Sequence, residues 1–232
     1  MALAPRWKSA LAKAIEKDGK AAVFQLASID SATNTPRVRS HIHREFISAQ
    51  ATPSLPILVT TTDIRTPKAA QILSNPTIET VFWVEANQEQ YRIIGNASVI
   101  PTPLHPYHAQ FDPFRGPALT ALEREGIDWE AKRTQIFDSM SGHMKASWCR
   151  PPPGIKLEGG YEEAKKWPQK LPTFSDVESE EDKNILELAL SNFALVVIDP
   201  FEVDFVELGI VPNQRTKFTR QEGNWVEEIV VP

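Results

Sequence analysis

Apolar positions along this chain change period from helical to alternating and back. Trp7, Leu11, Ala14 and Ile15 recur at helical spacing, so Pro5 to about Lys17 is predicted as a helix with Gly19 just past its end. Ala21 to Ile29 reads as a buried strand. Asp30 to Pro36 collects Asp, Ser, Asn and Pro and reads as a turn. From Pro36 to Ile47 the pattern alternates: Val38, Ser40 and Ile42 share one face, and Arg37, Arg39, His41 and His43 the other. Leu55 to Thr62 is rich in β-branched residues and is expected in the same sheet. Thr66 and Pro67 then suit the N-cap and first position of a short helix, which Asn75-Pro76 stops after Leu73. Thr77 to Glu85 and Gln90 to Ile100 are two further strands around a turn.

Beyond Pro101 the spacing turns helical, with helices expected at Pro117 to Glu125 and Asp128 to Met140. Arg150 to Asp182 is rich in Pro and Gly and then acidic, too long for an ordinary connection. It is expected as a flexible or covering segment. A short helix follows at Asn184 to Ser191. Four strands close the chain: Phe193 to Ile198, Glu202 to Leu208, Lys217 to Gln221 and Trp225 to Val231. The last ~40 residues cannot bury a core alone, so they are expected to complete the N-terminal sheet. The expectation is one domain over 1–232, with 101–191 as a helical and loop insertion and 150–182 as its covering part. The fold class is mainly β with helices, α+β, around an antiparallel barrel-like sheet rather than a doubly wound one.

Composition narrows the classes of function. The chain has 232 residues, 41% hydrophobic and 24% charged, as in ordinary soluble proteins. Net charge is −5, with no basic stripe, which argues against nucleic acid as a partner. No apolar run approaches membrane-spanning length, so no membrane partner is expected. The first residues lack a secretory core. They are mildly basic and amphipathic, which leaves a mitochondrial address as the alternative to the structural helix that Glu16 and Asp18 favour. Cys149 is the one cysteine, which excludes an internal disulfide and fits a reducing, cytoplasmic setting.

The chemistry concentrates where strand 57–62 runs into helix 67–73. Such a junction aims free backbone N–H groups and the positive end of the helix dipole at one spot. Arg65, Lys68 and the hydroxyls of Thr61, Thr62 and Thr66 surround it, as a phosphate site requires. The alternative is a solvated helix start. Cations in a first helical turn oppose the dipole, which favours an anionic ligand. His41 and His43 lie among Arg37, Arg39 and Arg44, a setting that repels a metal and invites an anion. Neither GxGxxG nor GxxxxGK[ST] is present. Gln90 suits the amide edge of a heterocycle. A phosphorylated flat heterocycle fits this set, and flavin mononucleotide (FMN) and pyridoxal phosphate both match.

The order PRVRSHIHREF, ILVTTTDIRTPKAAQILSNP and TVFWVEANQEQYRIIGNASV resembles the pyridoxamine 5′-phosphate oxidase-like FMN-binding split barrels. The likeness is greatest to a branch of FMN-binding proteins that carry a T-D-x-R-[ST]-x-K element. The C-terminal PFEVDFVELG…PNQRTKFTRQEGNWVEEIVVP resembles the end of the oxidase. The resemblance implies an antiparallel, Greek-key-like split β-barrel, bound FMN, a small-molecule substrate and a homodimer with the cofactor at its interface. It implies cofactor contacts at Arg39, Ser40, His41, Arg44, Thr61, Thr62, Arg65, Lys68, Gln90, Lys145, Ser147 and Lys217. Arg215 and His43 fall near the implied substrate. The oxidase's substrate-holding R-x-H pair reads Asn213 and Arg215 here, a tryptophan against the flavin reads Val206, and its tyrosine–arginine clamp has no clear counterpart in Tyr107–Arg115. FMN-dependent oxidoreduction of a small molecule is therefore the expected function. Pyridoxamine or pyridoxine 5′-phosphate oxidation and non-catalytic flavin binding are the alternatives, and no catalytic residue is assigned.

Overall fold

A computed structural model describes residues 3–232. Helix α1 (Arg6–Lys17) precedes β1 (Val23–Asp30) and β2 (Thr35–Ile42). The short β3 (Glu45–Ile47), β4 (Ile57–Asp63), α2 (Pro67–Ser74), β5 (Thr77–Val84) and β6 (Glu89–Ile100) follow. Helices α3 (Pro117–Arg124), α4 (Trp129–Asp138), α5 (Gly142–Ser147), α6 (Gly160–Ala164) and α7 (Glu180–Asn192) fill the middle. The chain ends with β7 (Phe193–Glu207), β8 (Gln214–Gln221) and β9 (Asn224–Ile229). No helix among the described residues is long and apolar enough to cross a membrane.

The nine strands among the described residues form one antiparallel sheet, in the order β2-β1-β5-β6-β7-β4-β3, with β8 and β9 added beside β7. The α+β, mainly antiparallel architecture is the expected one. The sheet curls until its two ends meet at consecutive residues: His43 N–H donates to Ala22 of the β1 side, and Arg44 N–H to Val59 of β4. No ladder joins β2 to β4, so the barrel is split along that line. This corrects the single strand expected over 36–47: at His43–Arg44 the chain leaves one end of the sheet and joins the other.

Two more boundaries differ from expectation. Phe193 to Glu207 is one strand rather than two. It passes Pro200 by a bulge: Ile94 pairs with Glu202 and Gly95 with Pro200, so Phe201 is left over. Helix α7 starts at Glu180, because Ser179 caps it and Glu180, Glu181 and Asp182 sit at the positive end of the dipole. An acidic run that reads as loop is a favourable first turn.

Alternation places two cores on the two faces of β4, β6 and β7. One fills the barrel: Phe24, Leu26, Phe82, Tyr91, Ile93, Val203, Phe205 and Phe218, plugged at one end by Trp7 and Leu11 of α1. The other lies under the helical layer, where Val59, Leu195 and Val197 meet Leu119, Phe137, Trp148 and Leu186. The 150–182 segment lies over this layer: Leu171 is buried in it and its N–H donates to Gly142. Gly95 marks the tightest approach in the barrel wall. A Cβ there would stand 2.7 Å from the Asp199 carbonyl oxygen and 2.9 Å from Ile198 Cγ2. Gly95→Ala is expected to cost about 1–3 kcal/mol, the scale of overpacking a rigid wall. A urea midpoint equal to wild type would contradict this.

Candidate functional site

The split between β2 and β4 gathers the first group of candidate side chains. Register fixes which way they point. Arg39 stands opposite Leu26, and that row continues through Thr80, Ile93, Val203 and Phe218, all fully buried. Arg39 and His41 therefore face inward at the split, and Lys68 approaches them from the first turn of α2. Arg39 Nη1 donates to Ser28 Oγ (2.6 Å) and to the Arg37 carbonyl (2.9 Å). Its Nη2 donates to Gln71 Oε1 at 2.8 Å. Thr60 Oγ1 donates to the Ile42 carbonyl (2.8 Å), so His41 Nδ1, at 3.2 Å, donates to Thr60. His41 Nε2 is then an acceptor, buried and without a partner.

Charge at this spot is unbalanced. Burial lowers Lys68 to about 8, Arg39 adds repulsion and Asp63 offsets part of it. Asp63 itself is chelated by Arg65. Lys68 is left without an ion pair among the described residues. Burial, then Lys68 and Arg39, holds His41 down to about 3. Burial, then Arg44 and Lys8, holds His43 near 4. No side chain caps α2, because the Thr66 hydroxyl turns back to the Asp63 carbonyl at 2.7 Å. Thr62, with its hydroxyl 3.4 Å from Thr66 Oγ1, completes the surroundings of the helix start. Two cations, an uncapped helix N-terminus and a lone Asp63 already chelated by Arg65 are a donor set that suits an anion.

Three expected members do not converge there. Arg65 is committed elsewhere: Nε and Nη2 chelate Asp63 (2.9 and 2.6 Å), while Nη1 and Nη2 reach the Arg150 and Trp148 carbonyls (2.8 and 3.2 Å). Thr61 lies on the opposite face of β4 from Thr60 and Thr62, paired with Leu195 towards the helical layer. Ser40 is exposed on the outer face of β2. Thr60, Ser28 and Gln71 join this spot beyond the residues expected from sequence. Gln71 lies three positions after Lys68 on one helix face, a local signal. Ser28 and Thr60 come from strand neighbours that only the fold supplies.

A second group stands on the outer face of the barrel. Trp83, Gln90, Val206 and Arg215 form one cross-strand row. In the next row Asp204 lies between Arg92 and Lys217. Arg215 donates to both Asp204 oxygens (2.9 and 2.7 Å), and Arg92 bonds the same carboxylate. Burial raises Asp204, but the hydrogen bonds from Arg215 and Arg92 outweigh it and hold the carboxyl below its usual range. Gln90, Arg215 and Lys217 thus face away from Arg39 and Lys68, on the opposite side of the barrel wall.

The remaining candidates sit apart from both groups. Arg44 and His43, at the strand break, line a cavity of about 360 Å³ with Gln135 and Ser139. Arg44 Nη2 meets Met144 Sδ at 3.0 Å. Lys145 is fully buried, its Nζ 3.3 Å from Asp138 Oδ1, beneath the helical layer. Ser147 is exposed at the end of α5, its hydroxyl on the Met144 carbonyl at 2.7 Å.

The two imidazoles carry a stability consequence. Both titrate lower folded than at the unfolded value of about 6.5. Below that value the unfolded chain binds protons that the folded chain refuses. Stability is therefore whole above about pH 6.5 and lost as pH falls towards 4. By pH 5 each contributes a loss of about 2 kcal/mol. Urea midpoints at pH 7 and pH 5 check this against His41→Gln/His43→Gln, which should flatten the difference. An undiminished difference in the double variant would contradict it.

Residues 4–101 match the family described as pyridoxamine 5′-phosphate oxidase, FMN-binding domain. Among curated proteins, none matches this chain. A pyridoxamine 5′-phosphate oxidase-related, FMN-binding protein from Nostoc punctiforme is similar in structure, with a TM-score of 0.69, 23% identity and full coverage of both chains. PhzG from Burkholderia lata, solved with tetrahydrophenazine-1-carboxylic acid, gives a TM-score of 0.62 and 12% identity over 97% of this chain and 90% of its own. By sequence the likeness to that FMN-binding family spans residues 4–101, and over its length the chain has the split-barrel fold of these solved proteins.

Proposed function

We propose that this protein binds FMN and is a flavin-dependent oxidoreductase acting on a small molecule in the cytoplasm. The observation that carries the reading is the unbalanced pair Arg39 and Lys68 at the uncapped start of α2. A phosphate dianion would neutralise both cations and accept the free N–H groups. His41 Nε2, a buried acceptor without a partner, suits a hydroxyl of the ribityl chain. Bound FMN would supply the electron-transfer chemistry, and the chain would supply position and electrostatics.

Gln90 and Lys217 are proposed as contacts to the ring, contributed by a second copy. The support is their place on the outer barrel face, opposite to Arg39 and Lys68. Exposed Val38 (64%) and Trp83 (40%) on that face give an apolar motive for pairing. Arg215 is chelated by Asp204 and so is not free to hold a phosphorylated vitamer. Light scattering of the FMN-loaded protein should give about twice 26.0 kDa. Pyridoxamine phosphate should turn over far below the ordinary enzyme range, which begins at about 1 per second. A loaded monomer would contradict the shared site, and ordinary turnover would favour the oxidase reading.

A further inference from the structure

We propose that Arg65 is a positioning residue that ties the turn at the anion site to the base of the 150–168 loop, setting the loop rather than holding the phosphate. A guanidinium has five N–H donors, and Arg65 spends four of them within the chain. The fork on Asp63 fixes its plane. The other two bonds reach the Trp148 and Arg150 carbonyls, just past the end of α5, where helix carbonyls lack partners and a cation suits the dipole.

The same junction is held from its other sides. Asn192 Nδ2 donates to the Trp148 carbonyl at 2.9 Å, and Ile64 N–H donates to the Asn192 carbonyl at 2.9 Å. Arg150 then closes the loop, donating through Nε and Nη2 to the Pro168 carbonyl at 3.3 and 3.1 Å. A continuous path therefore runs from the start of α2 through Asp63, Arg65 and Arg150 to Pro168. The loop encloses a cavity of about 540 Å³, lined by Ser147, Pro151, Pro153, Ile155, Leu157 and Trp167. That volume lies in the range of small-molecule pockets, about 300–1,000 Å³. Arg65 thereby governs the shape of this cavity through Arg150, which lines it, while Lys68 and Arg39 remain to meet the anion.

Two readouts separate setting the loop from binding a phosphate: hydrogen exchange along the chain, and the ratio of FMN to riboflavin affinity. In Arg65→Ala, amides in 150–168 should exchange at least about tenfold faster, with the barrel strands unchanged, because one anchored segment opens without global unfolding. FMN and riboflavin affinities should each stay within about threefold of wild type, under 1 kcal/mol. Arg65→Lys keeps the charge pair with Asp63 but cannot span both carbonyls, so its loop should exchange at an intermediate rate. It also serves if the alanine variant does not fold. The exchange measurement needs no ligand, so it stands even if the FMN reading fails. A selective loss of FMN affinity in either variant, wild-type loop exchange in both, or exchange raised equally over loop and barrel would each overturn the assignment.

Discussion

Replacing Arg39 and Lys68 together by alanine is expected to lower FMN affinity by about two to four powers of ten and leave riboflavin binding nearly unchanged. Each cation would lose a charge-assisted hydrogen bond of roughly 1.5–3 kcal/mol. At 1.4 kcal/mol per tenfold, the pair accounts for that range. The apo protein should not lose comparable stability. Lys68 has no ion pair to lose, and its burial and its repulsion with Arg39 are relieved. Arg39 leaves behind Ser28 and Gln71, which keep their own hydrogen bond at 3.0 Å. FMN-induced stabilisation should therefore collapse while apo stability stays flat. Riboflavin is the control because it lacks the phosphate. An equal loss for both ligands would mean that the substitutions damaged the pocket, and no loss for either would remove the phosphate site.

Trp7→Ala is expected to have the largest effect on the fold. Trp7 is fully buried at the mouth of the barrel and meets Trp225 and Phe46 edge-on, at centroid distances of 5.5 and 6.2 Å. Its indole Nε1 has no partner, so packing alone is lost. Removing such a side chain costs about 3–5 kcal/mol. For a chain of this size that lowers Tm by roughly 6–20 °C, at about 2–4 °C per kcal/mol. The effect should reach the C-terminal hairpin, because Trp225 also donates to the Ser54 carbonyl at 2.9 Å. Calorimetry of wild type, Trp7→Ala and Trp7→Phe checks it, with the phenylalanine variant between the others. A shift under about 3 °C in the alanine variant would show that α1 is not part of the barrel core.

Local signals made much of this molecule legible from sequence. Alternation in 36–42 put Arg39 and His41 on one face, and Thr66-Pro67 marked the start of α2 to the residue. Both are decided by neighbours within one turn or one strand. The intrachain partners of Arg65 cannot be read from sequence, because the carbonyls it reaches lie 83 and 85 residues away, where spacing carries no information. Lys145 is seven residues from Asp138, but only the packing of α5 under Leu171 and Phe137 buries it. The strand break at His43 is set by which edges the two halves can pair with, a property of the closed sheet. Pro200 reads as a strand end until the bulge at Phe201 is known. Opposite facing of Gln90 and Arg39 also required register across several strands.

The spot between Arg39, Lys68 and the start of α2 is proposed to hold the phosphate of FMN. It is tested most directly by the absorbance spectrum of the purified protein, followed by denaturation and identification of what is released. The expected result is a yellow protein that releases FMN rather than FAD or riboflavin, and that regains its colour when FMN is restored. A colourless protein that stays colourless after incubation with FMN would contradict it.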